Sequence, residues 1–503
     1  MEAPAWIQGL LALRFAILLP LLLIALTIVY ILGTLFYNVF LHPLRSYPGP
    51  KLMAMTWIPY TRMSLSGLSP QRILELHQAY GPVVRISPEI LSYNHPDAMK
   101  EVRGHRKTGT GEHGKDPVHQ ASNAKNIIGA NREDHRRYRS LLAHGFSAQT
   151  MLNQQPIMKS YIDLLIQNLH KQCGNGSQPV NMVNWFNFTT FDLIGDLAFG
   201  EPFGCLEASD YHPWVALIFS SVKNFAWASN MRRYPAVQSL LSYFIPKEIK
   251  SKLEQHNQLS AAKVRKRLST TTERPDFMDS MTRKGMKDGA ITFDELVSNA
   301  GLLIMAGSET TATVLSAAVF HLATNPEVLN KLTNEIRSAF TSEEEIDLLS
   351  VQKLPYLLAV LDETLRIYPP VPSGSPRRIA PGGDVIMGQY VPENTVVEIY
   401  QWAVYHNPDH FLLPDSFIPE RWLDDARFIH DKKDAFQPFS IGPRNCIGKN
   451  LAYSEMRLIL SRLIWNFDLS IAKENLNWYD ESRVYILWQK GALNMYLTPR
   501  RRQ

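Results

Sequence analysis

The chain has 503 residues, of which 45% are hydrophobic and 20% are charged. This composition is that of a folded globular protein and excludes a disordered or fibrous one. Lys and Arg number 52 against 47 Asp and Glu, and a net charge of +5 on so large a surface does not indicate nucleic-acid binding. Three cysteines, Cys173, Cys205 and Cys446, are too few for a disulfide framework, which favours a reducing compartment.

The N-terminal segment is apolar enough to cross a membrane. No Asp, Glu, Lys or Arg occurs from Phe15 to Leu44, and about 20 apolar residues suffice to span a bilayer. The alternative is a buried core helix, but the segment is longer and more uniformly apolar than such helices usually are. We therefore predict a single-pass transmembrane signal anchor over residues 1–44. Arg45 and Lys51 follow it closely, so the positive-inside rule places the rest of the chain in the cytosol.

Proline and glycine separate this anchor from the remainder. Tyr47-Pro48-Gly49-Pro50 cannot continue a helix, because Pro lacks the backbone N–H and Gly permits sharp changes of direction. We predict a Pro/Gly hinge over residues 45–52 and a catalytic domain over residues 53–503. Length alone leaves the number of domains open.

Helical patterns dominate the rest of the chain, with β-prone runs near its two ends. The helical patterns cover residues 132–142, 157–172, 246–266, 293–323, 327–340 and 353–368. The β-prone runs cover residues 83–87, 90–94, 385–391, 395–401, 484–489 and 493–497. The predicted fold class is therefore mainly α with small β-sheets.

The longest predicted helix, 293–323, is the best defined. Thr292 and Glu295 have the spacing of a capping box, and Asn325-Pro326 gives a stop. Its middle, residues 306–311, places a small pair, a carboxylate and hydroxyls in an otherwise apolar stretch. A hydroxyl beside a carboxylate can hold a water chain that delivers protons. The alternative is helix packing with hydroxyls bonded back to the preceding turn.

One cysteine lies in a loop rich in Gly and Pro. The loop, residues 439–448, presents Cys446 just before the helical pattern of residues 451–465. Aligned backbone dipoles at a helix N-terminus favour the thiolate, which is the form that binds a metal. For Cys173 and Cys205 the simpler interpretation, a small buried apolar residue, is preferred.

This loop resembles that of the cytochrome P450 heme-thiolate monooxygenases. The shared pattern is Phe439, Gly442, Arg444, Cys446 and Gly448. The resemblance implies a cytochrome P450 fold, a helical heme domain behind an N-terminal transmembrane helix. It also implies heme b as the cofactor, with Cys446 as the axial ligand of the iron.

The resemblance further implies an ion network away from the loop. The family pairs Glu and Arg three residues apart in a late helix, here Glu363 and Arg366, and adds a downstream Arg, here Arg421. Residues at i and i+3 share one face of a helix. An isolated pair of this kind is usually a solvated surface contact, so the order relative to Cys446 carries the assignment.

By the same resemblance, the long helix is the oxygen-binding helix, with Glu309 and Thr310 as catalytic proton-relay residues. The implied heme contacts are Ala306, Gly307, Phe439, Gly448 and the propionate partners His135, Arg139, Arg377 and Arg444. His135 departs from the commoner Trp, but an imidazole can still donate a hydrogen bond. The implied substrate pocket is Leu302, Met305, Ala306, Val371 and Ser373, although each of these positions could equally be plain core. The aromatic stretch of Phe219, Phe225 and Trp227 corresponds to the family's access lid.

The implied function is hydroxylation of a lipophilic small molecule with O2 and NADPH electrons, at the endoplasmic reticulum membrane. The electrons come from the flavoprotein NADPH-cytochrome P450 reductase, with cytochrome b5 as a candidate second donor. The chain looks most like filamentous-fungal members near the trichothecene-type hydroxylases of secondary metabolism. Desaturation, epoxidation or oxidative coupling at the same heme, and a heme electron carrier or sensor without turnover, remain alternatives.

Two further surface features depend on the topology. The basic run of Arg132, Arg136 and Arg137 is either a solvated face or a docking site for an acidic reductase. Asn175 and Asn187 lie in glycosylation sequons, and we expect both to stay unmodified because that region faces the cytosol.

Overall fold

The computed structural model describes residues 5–106, 110–118, 125–235, 238–239, 247–269, 277, 279, 281, 286 and 288–500. Its α-helices are α1 Ala5–Phe36, α2 Lys51–Met55, α3 Ile58–Leu65, α4 Ser69–Tyr80, α5 Pro96–Arg103, α6 Arg132–Leu142, α7 Ala148–Gln172, α8 Met182–Phe199, α9 Cys205–Ala208, α10 Pro213–Met231, α11 Lys247–Ser269, α12 Phe293–Thr324, α13 Pro326–Ala339, α14 Pro355–Ile367, α15 Gln401–Tyr405, α16 Lys449–Asn466 and α17 Trp478–Glu481. Its strands are β1 Val83–Arg85, β2 Ile90–Tyr93, β3 Gly114–Lys115, β4 Pro179–Asn181, β5 Arg377–Arg378, β6 Asp384–Ile386, β7 Gln389–Val391, β8 Val396–Glu398, β9 Phe467–Ile471, β10 Arg483–Val484, β11 Trp488–Gln489 and β12 Asn494–Pro499.

Helix α12 is the central element of the domain. It begins with the predicted capping box, in which the Thr292 backbone N–H donates to Glu295 Oε2 at 2.8 Å and the Thr292 hydroxyl accepts from the Glu295 N–H. Most of its residues are buried, and it packs against α8, α11, α14 and α16. The site therefore forms around a helix that is held on several sides.

Helix α8, the main neighbour of α12, is not predicted by the sequence pattern. Nearly all of its residues are buried, so apolar and polar positions are mixed around the whole helix. A helix enclosed on every side has no single apolar stripe, and periodicity is the signal that sequence analysis uses. Helix α7 differs at its start: it begins at Ala148, not 157, because Ser147 caps it and Pro156 lies inside it.

The strands form small sheets at the edges of the helical body. The largest is five-stranded in the order β1-β2-β8-β5-β3, and the predicted pair 83–87 and 90–94 forms its antiparallel β1–β2 edge. Strands β4, β12 and β9 form a second sheet. The runs 385–391 and 484–489 each fold as a hairpin and not as one strand, and Gly388 takes a positive φ of 76° at the first turn.

The N-terminal helix stands apart from the core. Residues Ala16–Leu41 have a mean hydropathy of 2.7 and none of the segment is buried, whereas α12 also passes a hydropathy test but is largely buried. At its C-terminal end the chain contacts the domain. Arg85 Nη1 donates to the Asn38 carbonyl at 2.8 Å, and Asn38 Nδ2 donates to the Met55 carbonyl at 2.9 Å. The Tyr47 hydroxyl, in the predicted hinge, donates to the Tyr390 carbonyl at 2.9 Å.

Candidate active site

A cavity of about 350 Å³ lies between α12, the loop that contains Cys446, and α6. The predicted site residues that line it are His135, Arg139, Leu302, Ala306, Gly307, Thr310, Val371, Ser373, Arg377, Phe439, Arg444, Cys446 and Gly448. Met305 and Glu309 are not among its lining residues. Segments far apart in the chain, from residue 103 to residue 456, thus converge on one space.

The Cys446 loop is closed by its own backbone. The Cys446 N–H donates to the Phe439 carbonyl at 2.8 Å, and α16 begins three residues later. Gly442 has a φ of 75°, and a Cβ there would lie 2.0 Å from the Arg103 carbonyl oxygen, so only glycine fits. The loop therefore presents the thiol at a fixed place on the cavity wall.

The surroundings of the thiol act on its pKa in opposite directions. Burial raises the pKa of Cys446 above its ordinary value, while the Gly448 N–H, Arg139 and Lys449 oppose this shift. Arg139 is itself fixed, because its guanidinium donates to the Asn445 carbonyl at 2.8 Å and to the Asn445 side-chain oxygen. A bound metal cation would add the charge that turns this thiol into a thiolate.

One side of the cavity carries a group of basic side chains, here called the cation cluster: Arg103, Lys115, His135, Arg139, Arg377 and Arg444. Arg103 and Lys115 are missed by sequence analysis. Lys115 on β3 is opposite Arg377 on β5, a pairing between strands that no local pattern shows. Burial, reinforced by Arg377, lowers the pKa of Lys115 well below its ordinary value.

Anionic partners for the cation cluster are scarce. Glu112 pairs with Arg444, whose Nε donates to Glu112 Oε1 at 2.7 Å. Burial lowers the pKa of Arg377 to about 9, and its Nη1 has no hydrogen-bond partner among the described residues. Burial and the Arg444 charge lower the pKa of His135 to about 4. Uncompensated buried cations are costly, so this wall fits a ligand with carboxylate groups, such as the two propionates of heme.

The middle of α12 forms the opposite wall. The Thr310 hydroxyl donates to the Ala306 carbonyl at 2.7 Å, and the Ser308 and Thr311 hydroxyls also bond back to the preceding turn. A Cβ on Gly307 would approach Ile194 to 3.0 Å, so the small residue allows α8 to lie close. The hydroxyls of this stretch thus bond back to the preceding turn, as in the helix-packing alternative. Thr310 and Thr311 also line the cavity.

Glu309 points to a different part of the structure. Its carboxylate is ion-paired with Lys490 Nζ, which also donates to the Thr313 hydroxyl at 2.7 Å. Both side chains are buried. The predicted acid is therefore next to Thr310 in the chain but lies outside the cavity wall.

The residues Glu363, Arg366 and Arg421 are in direct contact and fully enclosed; with their partner Asp431 they are called the Glu363 network here. Arg366 Nη2 donates to Glu363 Oε1 at 2.8 Å, and Arg421 Nε donates to the same oxygen at 3.0 Å. Burial alone would raise the pKa of Glu363, but the Arg366 and Arg421 charges outweigh it, and the pKa is lowered. Asp431 and Trp422 Nε1, which the sequence did not single out, complete the hydrogen bonds.

Known proteins match the chain along nearly its whole length. The family description "Cytochrome P450" matches residues 47–493. A trichothecene C-15 hydroxylase of Fusarium sporotrichioides is 53% identical over 473 residues, which is 94% of this chain and 96% of that protein. The chain belongs to the cytochrome P450 family. An averantin hydroxylase of Dothistroma septosporum is 44% identical over 480 residues, which is 94% of this chain and 90% of the relative.

Membership of the cytochrome P450 family confirms the predicted mainly α fold with small sheets and the monooxygenase reaction. Family membership implies heme with a thiolate ligand, O2 as the oxidant and electrons from NADPH through a redox partner. An apolar N-terminal helix is the membrane anchor expected of such an enzyme. Relatives that are hydroxylases of fungal secondary metabolism favour hydroxylation over the alternative reactions and over a heme protein without turnover.

Proposed function

We propose that Cys446 is the axial ligand of the heme iron and that the cation cluster holds the heme propionates. The observation that carries this proposal is the position of the Cys446 thiol and the underpaired cation cluster on the wall of one cavity. Heme bound there supplies the activation of O2 and the transfer of one oxygen atom to the substrate. The other proposed cofactor contacts, Ala306, Gly307, Phe439 and Gly448, line the same cavity, on the loop and on α12.

The residues of α12 determine how protons and substrate reach the reacting centre. Thr310 is the proposed hydroxyl that orders water beside the oxygen site, because its side chain faces the cavity from the centre of α12. Glu309 is the acid proposed from the sequence. It has to leave its ion pair with Lys490 before it can deliver a proton to that water. Reduction of O2 consumes protons, so the oxygen site needs a path that delivers them.

The proposed substrate is a lipophilic secondary metabolite, with a trichothecene-type compound as the first candidate. The 53% identity to a trichothecene C-15 hydroxylase supports this choice over a substrate like that of the averantin hydroxylase, which is 44% identical. The cavity supports it too, since its walls beside Leu302 and Val371 include Ile127, Ile128 and Ile194. Apolar walls of this kind bind apolar ring systems, and polar groups placed among them fix the orientation of the ligand. Met305, also proposed from the sequence as a pocket residue, is partly buried against the core and does not line this cavity.

The proposed electron donor is the flavoprotein NADPH-cytochrome P450 reductase, with cytochrome b5 as a second donor. Arg132 and Arg136 on α6 are exposed and can meet an acidic partner. Arg137 already donates hydrogen bonds to Glu295 and Asp134, so it contributes less to the binding of a partner. The predicted lid residue Trp227 is half-exposed on α10, the helix that also contains Phe219 and Phe225.

The proposed location is the endoplasmic reticulum membrane, with a single span and a cytosolic domain. Asn187 is buried within α8, so its sequon cannot accept a glycan on either side of the membrane. Asn175 is exposed and is therefore the informative sequon. Expression in microsomes should yield a chain whose mass does not change with glycosidase, and a glycosidase-sensitive shift would reverse the proposed orientation.

The proposed function is tested with the full chain, a reductase and lipid. The reduced carbon-monoxide complex should show the absorption of a thiolate-bound heme, and trichothecene-type compounds should shift the spin state and become hydroxylated. The variant C446A should lose both properties. The variant C173A removes a buried thiol far from the cavity and should retain both. Normal product formation by C446A would disprove the assignment of the ligand.

A further inference from the structure

Two buried glutamates flank the hydroxyl pair of Thr310 and Thr311. Glu309 is on α12 and 4% exposed, and Glu455 is on α16 and 0% exposed. Both Thr310 and Thr311 line the cavity, as does Met456, the neighbour of Glu455. Glu309 adjoins Thr310 in the chain, and Glu455 lies near the Thr311 hydroxyl. The two acids differ in what surrounds them.

Glu309 is held in a buried ion pair. Lys490 Nζ donates to its Oε1, and the Thr313 hydroxyl donates to the same oxygen at 3.4 Å. These contacts hold the side chain where it does not line the cavity.

Glu455 is arranged as a neutral group. Neither of its oxygens has a hydrogen-bond partner in the part of the chain that the structure describes. Burial raises its pKa to about 8. The Thr311 hydroxyl opposes this shift because it lies close to the carboxyl group, although it donates its hydrogen bond to the Gly307 carbonyl and not to Glu455. No charged side chain contributes to the shift. Around neutral pH the protonated acid therefore predominates, and it carries a transferable proton.

Thr311 is suited to pass that proton on. Its hydroxyl donates to the Gly307 carbonyl at 3.3 Å, whereas the Thr310 hydroxyl is bound to Ala306 at 2.7 Å. An O–H···O bond of 3.3 Å is long and weak, so the Thr311 hydroxyl can turn between Glu455 and the cavity. Helix α16 begins directly after the Cys446 loop, which places the acid on the same rigid element as the proposed heme ligand.

We infer that Glu455 is a positioning residue that supplies a proton to the oxygen site through the Thr311 hydroxyl. This inference rests on the proposed function. The proton of Glu455 moves to the Thr311 oxygen while the Thr311 proton moves to water beside Thr310 and on to the oxygen reduced by NADPH electrons. Only O–H bonds break and form in the relay. The carboxylate left behind lacks a counter-ion, so it regains a proton from water before the next turnover.

The first test compares four full-length variants with the unaltered chain, each supplied with reductase in lipid vesicles. E455Q keeps the size of the side chain but removes the transferable proton, and E309Q does the same for the other acid. S461A, which alters a buried hydroxyl of the same helix, is the matched control. E455D restores a proton donor. The measured quantities are heme content, NADPH consumed, peroxide released and hydroxylated product.

With normal heme content, E455Q should form at least about tenfold less product per NADPH and more peroxide. E455D should recover most of the product, and S461A should match the unaltered chain. E309Q should change the ratio less than E455Q does. A product ratio within about twofold of normal in E455Q, combined with a large loss in E309Q, would assign the proton to Glu309 and overturn the inference.

A second test does not depend on turnover or on folding of E455Q. Infrared spectroscopy of the unaltered chain at neutral pH should show a protonated carboxyl band that shifts in E455D. Absence of a band that responds to E455D would show that Glu455 is ionised, and the inference would fail while the proposed function stood. Presence of the band in a chain that binds no heme would instead contradict the proposed function.

Discussion

The Glu363 network and the cation cluster are both built from buried charges, but only one of them is complete. In the Glu363 network each guanidinium has a carboxylate and several carbonyl oxygens as partners, and the side chains are 0% to 2% exposed. In the cation cluster, Arg377 and Lys115 face further cations, with Glu112 as the carboxylate nearby. The first arrangement is satisfied by the protein alone. The second lacks such partners among the described residues, which is why we propose that it holds the heme propionates.

The largest expected effect is a loss of stability when the Glu363 network is disrupted. E363Q leaves Arg366 and Arg421 buried without their carboxylate, which should lower the free energy of unfolding by about 3–5 kcal/mol. Denaturant unfolding of the purified holoenzyme measures this loss, or expression fails altogether. An unfolding midpoint that moves as little as that of a surface variant would show that the network is dispensable for the fold.

A smaller effect is expected from a change in the cation cluster, and it should appear in the retention of heme. R377A removes a partner of the proposed propionate, which should weaken retention of heme by about 1.5–3 kcal/mol, or roughly tenfold to a hundredfold. The free energy of unfolding of the heme-free chain should not fall, because a cation repelled by its neighbours has been removed. Transfer of heme to an acceptor protein measures retention. R378A is the matched control, since Arg378 is the next residue and pairs with Asp116 instead.

The ion pair of Arg137 and Glu295 is partly exposed, and its contribution to stability should depend on pH. Hydrogen bonds from Arg137 lower the pKa of Glu295 to about 2, against an ordinary value of 4.5. The stabilisation is therefore present above pH 4.5 and is lost as the pH falls from there towards 2. It should amount to about 1–2 kcal/mol, since water screens part of the interaction. Unfolding curves of the unaltered chain and E295Q should converge at the acid end and diverge towards neutral pH.

The smallest effect is expected for an ion pair on the surface. Arg427 and Asp425 are 2.7 Å apart, but the Arg427 side chain is 62% exposed. R427A should leave both the unfolding midpoint and heme retention within experimental error, because water replaces the lost contact. A midpoint shift as large as that of E363Q would mean that pairing, and not burial, determines the contribution of these charges.

The sequence predicts well those features that depend on residues close together in the chain. The Cys446 loop, the capping box of α12 and the i, i+3 pair of Glu363 and Arg366 are local patterns, and all are present in the structure. The bounds of α12 are within one residue of the prediction because Thr292 and Asn325-Pro326 mark both ends.

What the sequence missed depends on contacts between distant segments. Lys115 lies beside Arg377 only because β3 pairs with β5, which is more than 250 residues away in the chain. Helix α8 has no apolar periodicity because it is enclosed on every side. Glu455 gives no local signal, since Ser454 and Arg457 lie beside it in a mixed polar and apolar stretch of α16. Whether such an acid is paired, as Glu363 is, or unpaired depends on the helices around it, which the pattern does not contain.

The bond between Arg85 and the Asn38 carbonyl has a consequence for protein engineering. It ties the segment just after α1 to a strand of the main sheet, so we expect the junction at residues 37–47 to fix the angle between the apolar helix and the domain. A chimera that exchanges the helix upstream of this junction should keep its natural tilt. A chimera joined downstream of Tyr47 should sit on the lipid at variable angles.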